Sequence, residues 1–241
     1  MVEKRNVPAA DFTQEIKPWK LTSSQWLIYY WLLSHSNWNS FSNENHYYIY
    51  KNKIVQVKIM KDCGIKAKDT VRNGIKKLKE VGALADSTYA DAYEIFFPLI
   101  YTPLDVRIIK AFIAFHKFLD SAQMIIMYSI LRRMYTFGHN KSFSFTAAGL
   151  CKLLGKAQSN ISKPEFLIML SLFEHMELVK IEKEIYSNNM GTECVKYTLV
   201  SITDTMPEKT IIEFDNDDEL SSIWAEEAWK SFVSKKDAQE I

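Results

Sequence analysis

Residues 59–84 read IMKDCGIKAKDTVRNGIKKLKEVGAL, and this run carries the strongest structural signal in the chain. Its first part ends at Gly64, a residue type that readily takes the left-handed conformation of a tight turn between helices. Apolar residues then recur at i, i+4 and i+7, which predicts one buried face of a second helix over 68–81. They are Val71, Ile75 and Leu78. Gly82 ends this helix, so the run predicts two helices joined by a glycine turn.

Further elements are predicted on both sides of this run. Before it, Thr22 and Gln25 form the capping-box signature of a helix. That helix is apolar on nearly all sides, which is typical of a buried helix. A β-like segment follows at 47–50, and residues 83–87 and 93–98 predict a two-stranded hairpin after the run.

The same signals recur 98 residues later in the chain. Asp120 and Gln123 repeat the capping signature ahead of a second apolar helix. A strand is predicted at 143–145, then a helix over 146–154 and another from near Ser162. This second copy has a longer turn and a less basic final helix than the first.

The second copy also ends in a predicted hairpin, with strands at 178–186 and 193–202. Residues 102–105 break the chain between the two copies. Periodicity leaves residues 106–118 open between a connecting helix and a strand.

Residues 59–84 resemble the helix–turn–recognition-helix–wing segment of bacterial winged-helix proteins, and residues 19–100 resemble the whole domain more loosely. Two winged helices in one chain resemble the replication initiators of plasmids and phages, which bind repeated origin sequences and recruit the replisome. The resemblance implies a mainly α (α+β) fold with two winged helix-turn-helix domains in tandem. The implied units are an N-terminal arm (1–17), the first winged helix (18–101), the second (102–203) and an acidic segment with an amphipathic helix (204–241).

Positive charge is concentrated in the first copy. Residues 51–79 hold ten basic residues against Asp62 and Asp69, a net charge of +8 in a chain whose formal charge is +1. A Lys-rich run is most often a solvated helix face. Clustered on a helix–turn–helix, however, it has the distribution that phosphate binding requires. We therefore expect Lys58, Lys61, Lys66 and Lys68 to contact phosphates of a DNA backbone.

The exposed side of the second helix is the predicted reader of bases in the major groove. Arg72, Asn73 and Lys76 are the candidates, each contributing about 1–3 kcal/mol of discrimination if it binds a base in a bidentate manner. For Asp69 a helix cap is favoured over a contact with a cytosine amine. Gly74 lies beside the apolar face, which predicts the close approach of a neighbouring helix. The remaining candidates of this helix are Thr70 and Lys77.

The second copy offers a further set of candidate DNA-binding residues. At the reading end of its helices we expect Lys156, Gln158, Ser159, Asn160 and Lys163. Lys180 and Lys183, with the tip residues Asn188 and Asn189, form its predicted wing. The alternative for either copy is a surface that binds protein instead of DNA.

The sequence predicts no enzyme, no cofactor and no metal site. The five histidines are scattered and the three cysteines are far apart, so no metal-ligand spacing occurs. Neither a Gly-rich phosphate loop nor a nucleophile elbow is present. No apolar run approaches the ~20 residues of a membrane span, and no signal peptide is apparent. A cytoplasmic protein with no membrane contact is therefore expected.

Residues 201–241 carry 4 basic and 11 acidic residues and include a predicted amphipathic helix over 219–236. This helix is expected either to dock on the second copy or to lay its apolar face into the groove of a partner. Such a partner would be a replisome protein or a second copy of the chain. The residues of that face are Leu220, Ile223, Trp224 and Phe232.

Taken together, these patterns predict sequence-specific double-stranded DNA binding, with replication initiation for a plasmid or phage as the role that the resemblance implies. A transcriptional repressor is the alternative within the same class. A non-enzymatic scaffold whose winged helices bind protein is the alternative from another class.

Overall fold

The computed structural model describes residues 6–10, 19–39, 46–88, 90–97, 101–153, 162–210 and 218–237. The chain is a mixed α/β protein of helices and small antiparallel sheets. Its helices are α1 (Ser23–Ser34), α2 (Gln56–Cys63), α3 (Lys68–Glu80), α4 (Val106–Ala114), α5 (Ser121–Phe137), α6 (Ala147–Leu153), α7 (Ser162–His175) and α8 (Asp218–Asp237). In the described ranges, no helix combines the length and the apolar character needed to cross a membrane.

The strands pair in antiparallel sheets with the orders β1–β6, β2–β3–β5–β4 and β7–β9–β8. They are β1 (Asn6–Ala10), β2 (Asn37–Asn39), β3 (His46–Tyr50), β4 (Leu84–Asp86), β5 (Ala92–Ile95), β6 (Tyr101–Asp105), β7 (Phe143–Phe145), β8 (Val179–Ser187) and β9 (Glu193–Ile202). The same order of elements thus occurs twice, with β3–β5–β4 in the first half matched by β7–β9–β8 in the second.

Helix α1 begins at a complete capping box, as predicted. The Gln25 amide donates to Thr22 Oγ1 at 3.4 Å, and the Thr22 amide donates to Gln25 Oε1 at 2.9 Å. Every residue from Trp26 to Ser34 is buried. The apolar composition of this helix therefore reflects a position between other helices, and it packs against α3, α4 and α5.

The cap of α5 differs in one detail from the predicted box. Asp120 Oδ1 accepts from the Gln123 amide at 3.1 Å, as expected for a cap. The Gln123 side chain, however, donates to the Asp120 carboxylate at 2.8 Å instead of accepting from the Asp120 amide. The same carboxylate accepts from Ser23 Oγ at 3.0 Å, so it joins the starts of α1 and α5.

The segment that periodicity left open is a helix. Asp105 begins α4 by accepting from the Arg107 amide at 2.9 Å, and a 3-10 turn at Phe115–Lys117 follows the helix. The Asp105 carboxylate is fully buried, where it also binds the Arg107 guanidinium and the Met206 amide. This one side chain therefore connects α4 to the segment after β9.

Three strands, β1, β2 and β6, lie where none was predicted. Residues of the expected N-terminal arm form β1, which pairs with β6 in the segment expected to break the chain. Strand β2 precedes the β-like segment predicted at 47–50 and pairs with β3. All three are short strands held by partners elsewhere in the chain, so local periodicity carries no trace of them.

Helix α8 packs on α4 and on the 3-10 turn after it. The Trp229 ring stacks on Phe118 with centroids 5.3 Å apart, and Ala225 and Phe232 are buried. Of the two alternatives predicted for this helix, docking on the second copy applies to Phe232, a candidate partner-binding residue whose ring lies against His175 of α7. Ile223 remains exposed. The side chains of Leu220 and Trp224 lie outside the described part of the molecule.

Glycines serve the two roles that the sequence indicates around α3. Gly64 has a φ of 64° and ends α2 in the left-handed conformation. Gly74 is buried in α3 where that helix crosses α1, and a Cβ at this position would overlap Cδ1 of Ile28. The predicted close approach of a neighbouring helix is confirmed.

We expect Gly74→Ala to lower the free energy of unfolding by about 1 kcal/mol, because overpacking of about 1–3 kcal/mol exceeds the gain of about 1 kcal/mol in helix propensity. Urea unfolding measures the change. In an Ile28→Val background, which removes Cδ1, the same substitution should become neutral or stabilising. Asn73→Ala, at an exposed position of the same helix, is the control. An equal loss from Gly74→Ala in both backgrounds would contradict the close contact.

Candidate nucleic-acid interface

Helix α3 has one buried side and one exposed side, as its sequence predicts. Val71, Gly74 and Leu78 are buried, and Ile75 is half-buried. The predicted readers lie on the opposite side of the helix. The exposed residues there are Asp69, Thr70, Arg72, Asn73 and Lys76, with Lys77 partly exposed beside them.

The turn before α3 adds further positive charge next to its first residues. Lys66 and Lys68 are exposed on the turn and at the start of α3, and Lys58 and Lys61 are exposed on α2. The N-cap residue of α3 is Ala67, whose side chain makes no capping hydrogen bond. The positive end of the α3 dipole therefore lies among exposed lysines, an arrangement that attracts anions.

Asp69 is not the cap of α3. The helix begins at Lys68, so the cap position falls on Ala67 and Asp69 lies within the first turn. Its carboxylate instead binds the Arg72 guanidinium at 2.8 Å, three residues further on. A carboxylate there still suits the positive end of the helix dipole.

Lys76 and Lys77 of α3 also have an acidic neighbour. Lys77 lies 3.5 Å and Lys76 lies 4.0 Å from the Glu80 carboxylate. These pairs, like the one between Arg72 and Asp69, are open to solvent. Exposed ion pairs contribute only about 0.2–1 kcal/mol each. The cations on this face can therefore leave their present partners for a stronger anion.

Lys51 and Lys79 hold the β4–β5 hairpin to the rest of the first half. Lys79 lies 2.8 Å and Lys51 lies 3.1 Å from the Asp86 carboxylate, and Lys51 also lies 3.1 Å from Asp91. The Lys79 ammonium lies 4.3 Å from the centroid of the Tyr93 ring. Hydrogen bonds from Lys79 and Lys51 lower the pKa of Asp86, and the bond with Asp86 raises the pKa of each lysine. Two basic residues of the 51–79 cluster thus have a structural role that composition does not show.

The candidates of the second half are placed only in part. Lys156, Gln158, Ser159 and Asn160 lie outside the described residues, and Lys163 lies in α7 with its side chain undescribed. Asn188 holds the β8–β9 turn, because its Oδ1 accepts from the Met190 and Thr192 amides at 2.9 Å each. The other three, Lys180, Lys183 and Asn189, are exposed on that hairpin.

The described part of the outer side of α7 differs in chemistry from the exposed side of α3. From Glu165 onward it presents the half-buried side chains of Leu167, Ile168, Ser171 and Glu174, so this part is apolar and acidic. With the hairpin and α8, these residues line a groove of about 320 Å³. The hairpin and α8 contribute Ile181, Lys183, Tyr197 and Phe232 to its walls. Sequence reasoning missed this groove, although the i, i+4, i+7 spacing of Leu167, Ser171 and Glu174 marks one helix face.

Other chemistry is not prominent in the described parts of the chain. No group of three or more His, Cys, Asp or Glu residues that could hold a metal ion occurs there. Cys63 and Cys151 are buried, and burial raises the pKa of the Cys63 thiol, which keeps it protonated.

Comparison of the chain with protein-family models, with curated proteins and with solved structures gives no match in any of the three. Function is therefore inferred from the surfaces themselves. The basic side of α3 with the turn before it is the surface whose charge points most directly to a ligand.

We expect Asp86→Asn to lower the stability of the chain at neutral pH, because it removes the anion shared by Lys51 and Lys79. The folded-state pKa of Asp86 lies below its unfolded value of about 3.9. Its contribution is therefore present above that pH and lost as the pH falls through the folded-state pKa. Urea unfolding of both proteins over a pH series should show the difference vanishing in acid. Asp91→Asn, which loses one contact with Lys51, should lower the stability less. A stability difference between Asp86→Asn and the unsubstituted chain that persists in acid would contradict the role of Asp86 as the anion that holds Lys51 and Lys79.

Proposed function

We propose that this chain binds double-stranded DNA through α2 and α3, with α3 in the major groove. The two halves are proposed to be winged-helix units, in which α3 is the recognition helix of the first and the β4–β5 hairpin is its wing. The order helix, strand, helix, helix and hairpin, repeated with the same strand pairing, supports this interpretation.

The observation that carries the proposal is the exposed side of α3. Arg72, Asn73 and Lys76 are donor-bearing side chains on one side of a 13-residue helix, which is about 20 Å long. A helix of this kind fits the major groove, where Arg and Lys pair with guanine and Asn pairs with adenine. Lys66 and Lys68 lie at its start, where contacts with the DNA phosphates set the orientation of a recognition helix.

The ion pairs of α3 are compatible with this role. A bidentate base contact contributes about 1–3 kcal/mol of discrimination, more than the contribution of about 0.2–1 kcal/mol from an exposed ion pair. Arg72 can therefore exchange Asp69 for a guanine at a net gain. The same carboxylate would repel a phosphate, which favours a base over the backbone as the Arg72 partner.

The wing of the first half is suited to lie near DNA without repelling it. Asp86 and Asp91 are paired with Lys51 and Lys79, and the third carboxylate of the hairpin, Glu94, accepts from Ser87 Oγ at 2.9 Å. The finer proposal, initiation of replication at repeated sites, rests on two such units in one chain. A repressor with a palindromic site is the alternative within this proposal.

Fluorescence anisotropy with a pool of random duplexes, followed by selection of the bound sequences, tests the proposal. Arg72→Ala, Asn73→Ala and Lys76→Ala should each weaken binding to the selected site by about 1–3 kcal/mol and relax the base preference at one position. Lys230→Ala, which removes one exposed positive charge from α8, is the matched control and should leave affinity unchanged. Direct repeats among the selected sequences support an initiator, and a palindrome supports a repressor.

A salt series tests the phosphate contacts separately. Lys66→Ala and Lys68→Ala should weaken binding to all duplexes alike. Each should reduce the slope of log affinity against log salt by about 0.9, the value for one phosphate contact. Failure of the intact chain to bind any duplex at low salt, or loss of affinity in Lys230→Ala equal to that in Lys66→Ala, would overturn the proposal.

A further inference from the structure

The β8–β9 hairpin extends past the rest of its sheet. Strand β7 pairs with β9 at 197–199, while β8 and β9 continue together as far as Ser187 and Glu193. This extension exposes large apolar side chains. They are Ile185 (70% exposed), Tyr186 (40%), Met190 (90%) and Val195 (38%). Exposed apolar side chains grouped on one projecting element are typical of a protein-binding surface.

Part of this apolar surface continues into the groove beside α7. Ile185 lies opposite Val195 and Lys183 lies opposite Tyr197, so these four side chains share one face of the hairpin. Lys183 and Tyr197 of the same face line the groove, together with Leu167 and Ile168 of α7. The hairpin and α7 thus form a single apolar surface with the groove at one end and the hairpin tip at the other.

The charge of the hairpin favours protein over nucleic acid as its occupant. Residues 179–202 carry three basic and three acidic side chains, a net charge of zero. They are Lys180, Lys183, Lys196, Glu182, Glu184 and Glu193. A surface without net positive charge lacks the electrostatic term that dominates nucleic-acid binding.

The geometry of the hairpin points to a second copy of this chain. Strand β8 continues from Ile185 to Ser187 and leads into the turn that carries Met190, while Ile181 in the groove wall lies four residues before Ile185, about 13 Å away along the strand. The tip and the groove therefore lie on opposite sides of Ile185. A two-fold axis at Ile185 therefore places the tip of one hairpin over the groove of another.

We propose that two copies of this chain associate through their β8–β9 hairpins, packed face to face and antiparallel. Ile185 and Val195 lie at the centre of the interface, and Met190 of each copy inserts into the groove beside α7 of the other. Such an interface is isologous, because the same surface serves both copies and closes the assembly at two.

The charged residues of this face are complementary in that arrangement. Lys183 and Glu193 lie on the face that carries Ile185, at opposite ends of its exposed part. Antiparallel packing brings the Lys183 end of one hairpin against the Glu193 end of the other, and the two-fold axis repeats the contact. A parallel arrangement would instead place like charges together, so charge selects the antiparallel one.

Sedimentation velocity of the full chain over a concentration series, without DNA, tests the association. We expect a reversible dimer of the 28.1 kDa chain. Lys183→Glu and Glu193→Lys should each raise its Kd roughly tenfold or more, since each places like charges in contact. The variant carrying both substitutions should recover the dimer, which a merely damaged fold would not. Glu182→Lys, a charge reversal on the opposite face of β8, is the control and should leave the Kd unchanged.

Cross-linking tests the centre of the interface. In a Cys194→Ser background, Ile185→Cys should be joined to its counterpart in the second copy by a short bis-maleimide. Glu184→Cys, on the opposite face of the same strand, should not. A chain that stays monomeric throughout, a dimer that is indifferent to both charge reversals, or equal cross-linking at 184 and 185 would overturn the proposal. DNA binding by α3 is measured independently and can hold in either case.

Discussion

Helix α1 is buried from Trp26 to Ser34, and this burial sets how the neighbouring helices are arranged. A helix that is apolar all round must be covered all round, so α3, α4 and α5 each turn their apolar side toward it. The absence of a side chain at Gly74 lets α3 approach the Ile28 side chain, and the Trp31 indole donates to Asp62 of α2 at 2.7 Å. The side of α3 that faces solvent is consequently the polar one. The proposed DNA surface is thus a consequence of how α1 is buried.

The two halves share an order of elements and a strand pairing but present different surfaces. The exposed side of α3 is basic, while the described part of the corresponding side of α7 is apolar and acidic and borders a groove. A shared topology therefore does not imply a shared ligand, because function is determined by the side chains on the exposed faces. Under our proposals the first half contacts DNA and the second joins two copies of the chain. Two linked DNA-binding surfaces would then act together, which raises the effective concentration of each at repeated sites.

Helix α8 docks on its own chain and borders the groove of the second half. Its aromatic face is used against Phe118 and His175 of its own chain, and Phe232 forms part of the groove wall. The helix is therefore a structural support of the proposed hairpin interface.

The basic residues of the first half have two different roles. Lys51 and Lys79 hold the β4–β5 hairpin, while Lys66 and Lys68 stay exposed beside α3.

Local patterns in the sequence were enough to predict the features that depend on residues three or four positions apart. These include the caps of α1 and α5, the glycine turn at Gly64, the buried side of α3 and the tip of the β8–β9 hairpin, because capping, turn conformation and helical periodicity are local. Packing of the whole chain sets which strands β1 and β2 pair with, which lysines bind Asp86, where Phe232 is buried and what the outer side of α7 adjoins. Each of these rests on contacts between residues distant along the chain. Such contacts follow from the packing of complete elements, and no local pattern records them.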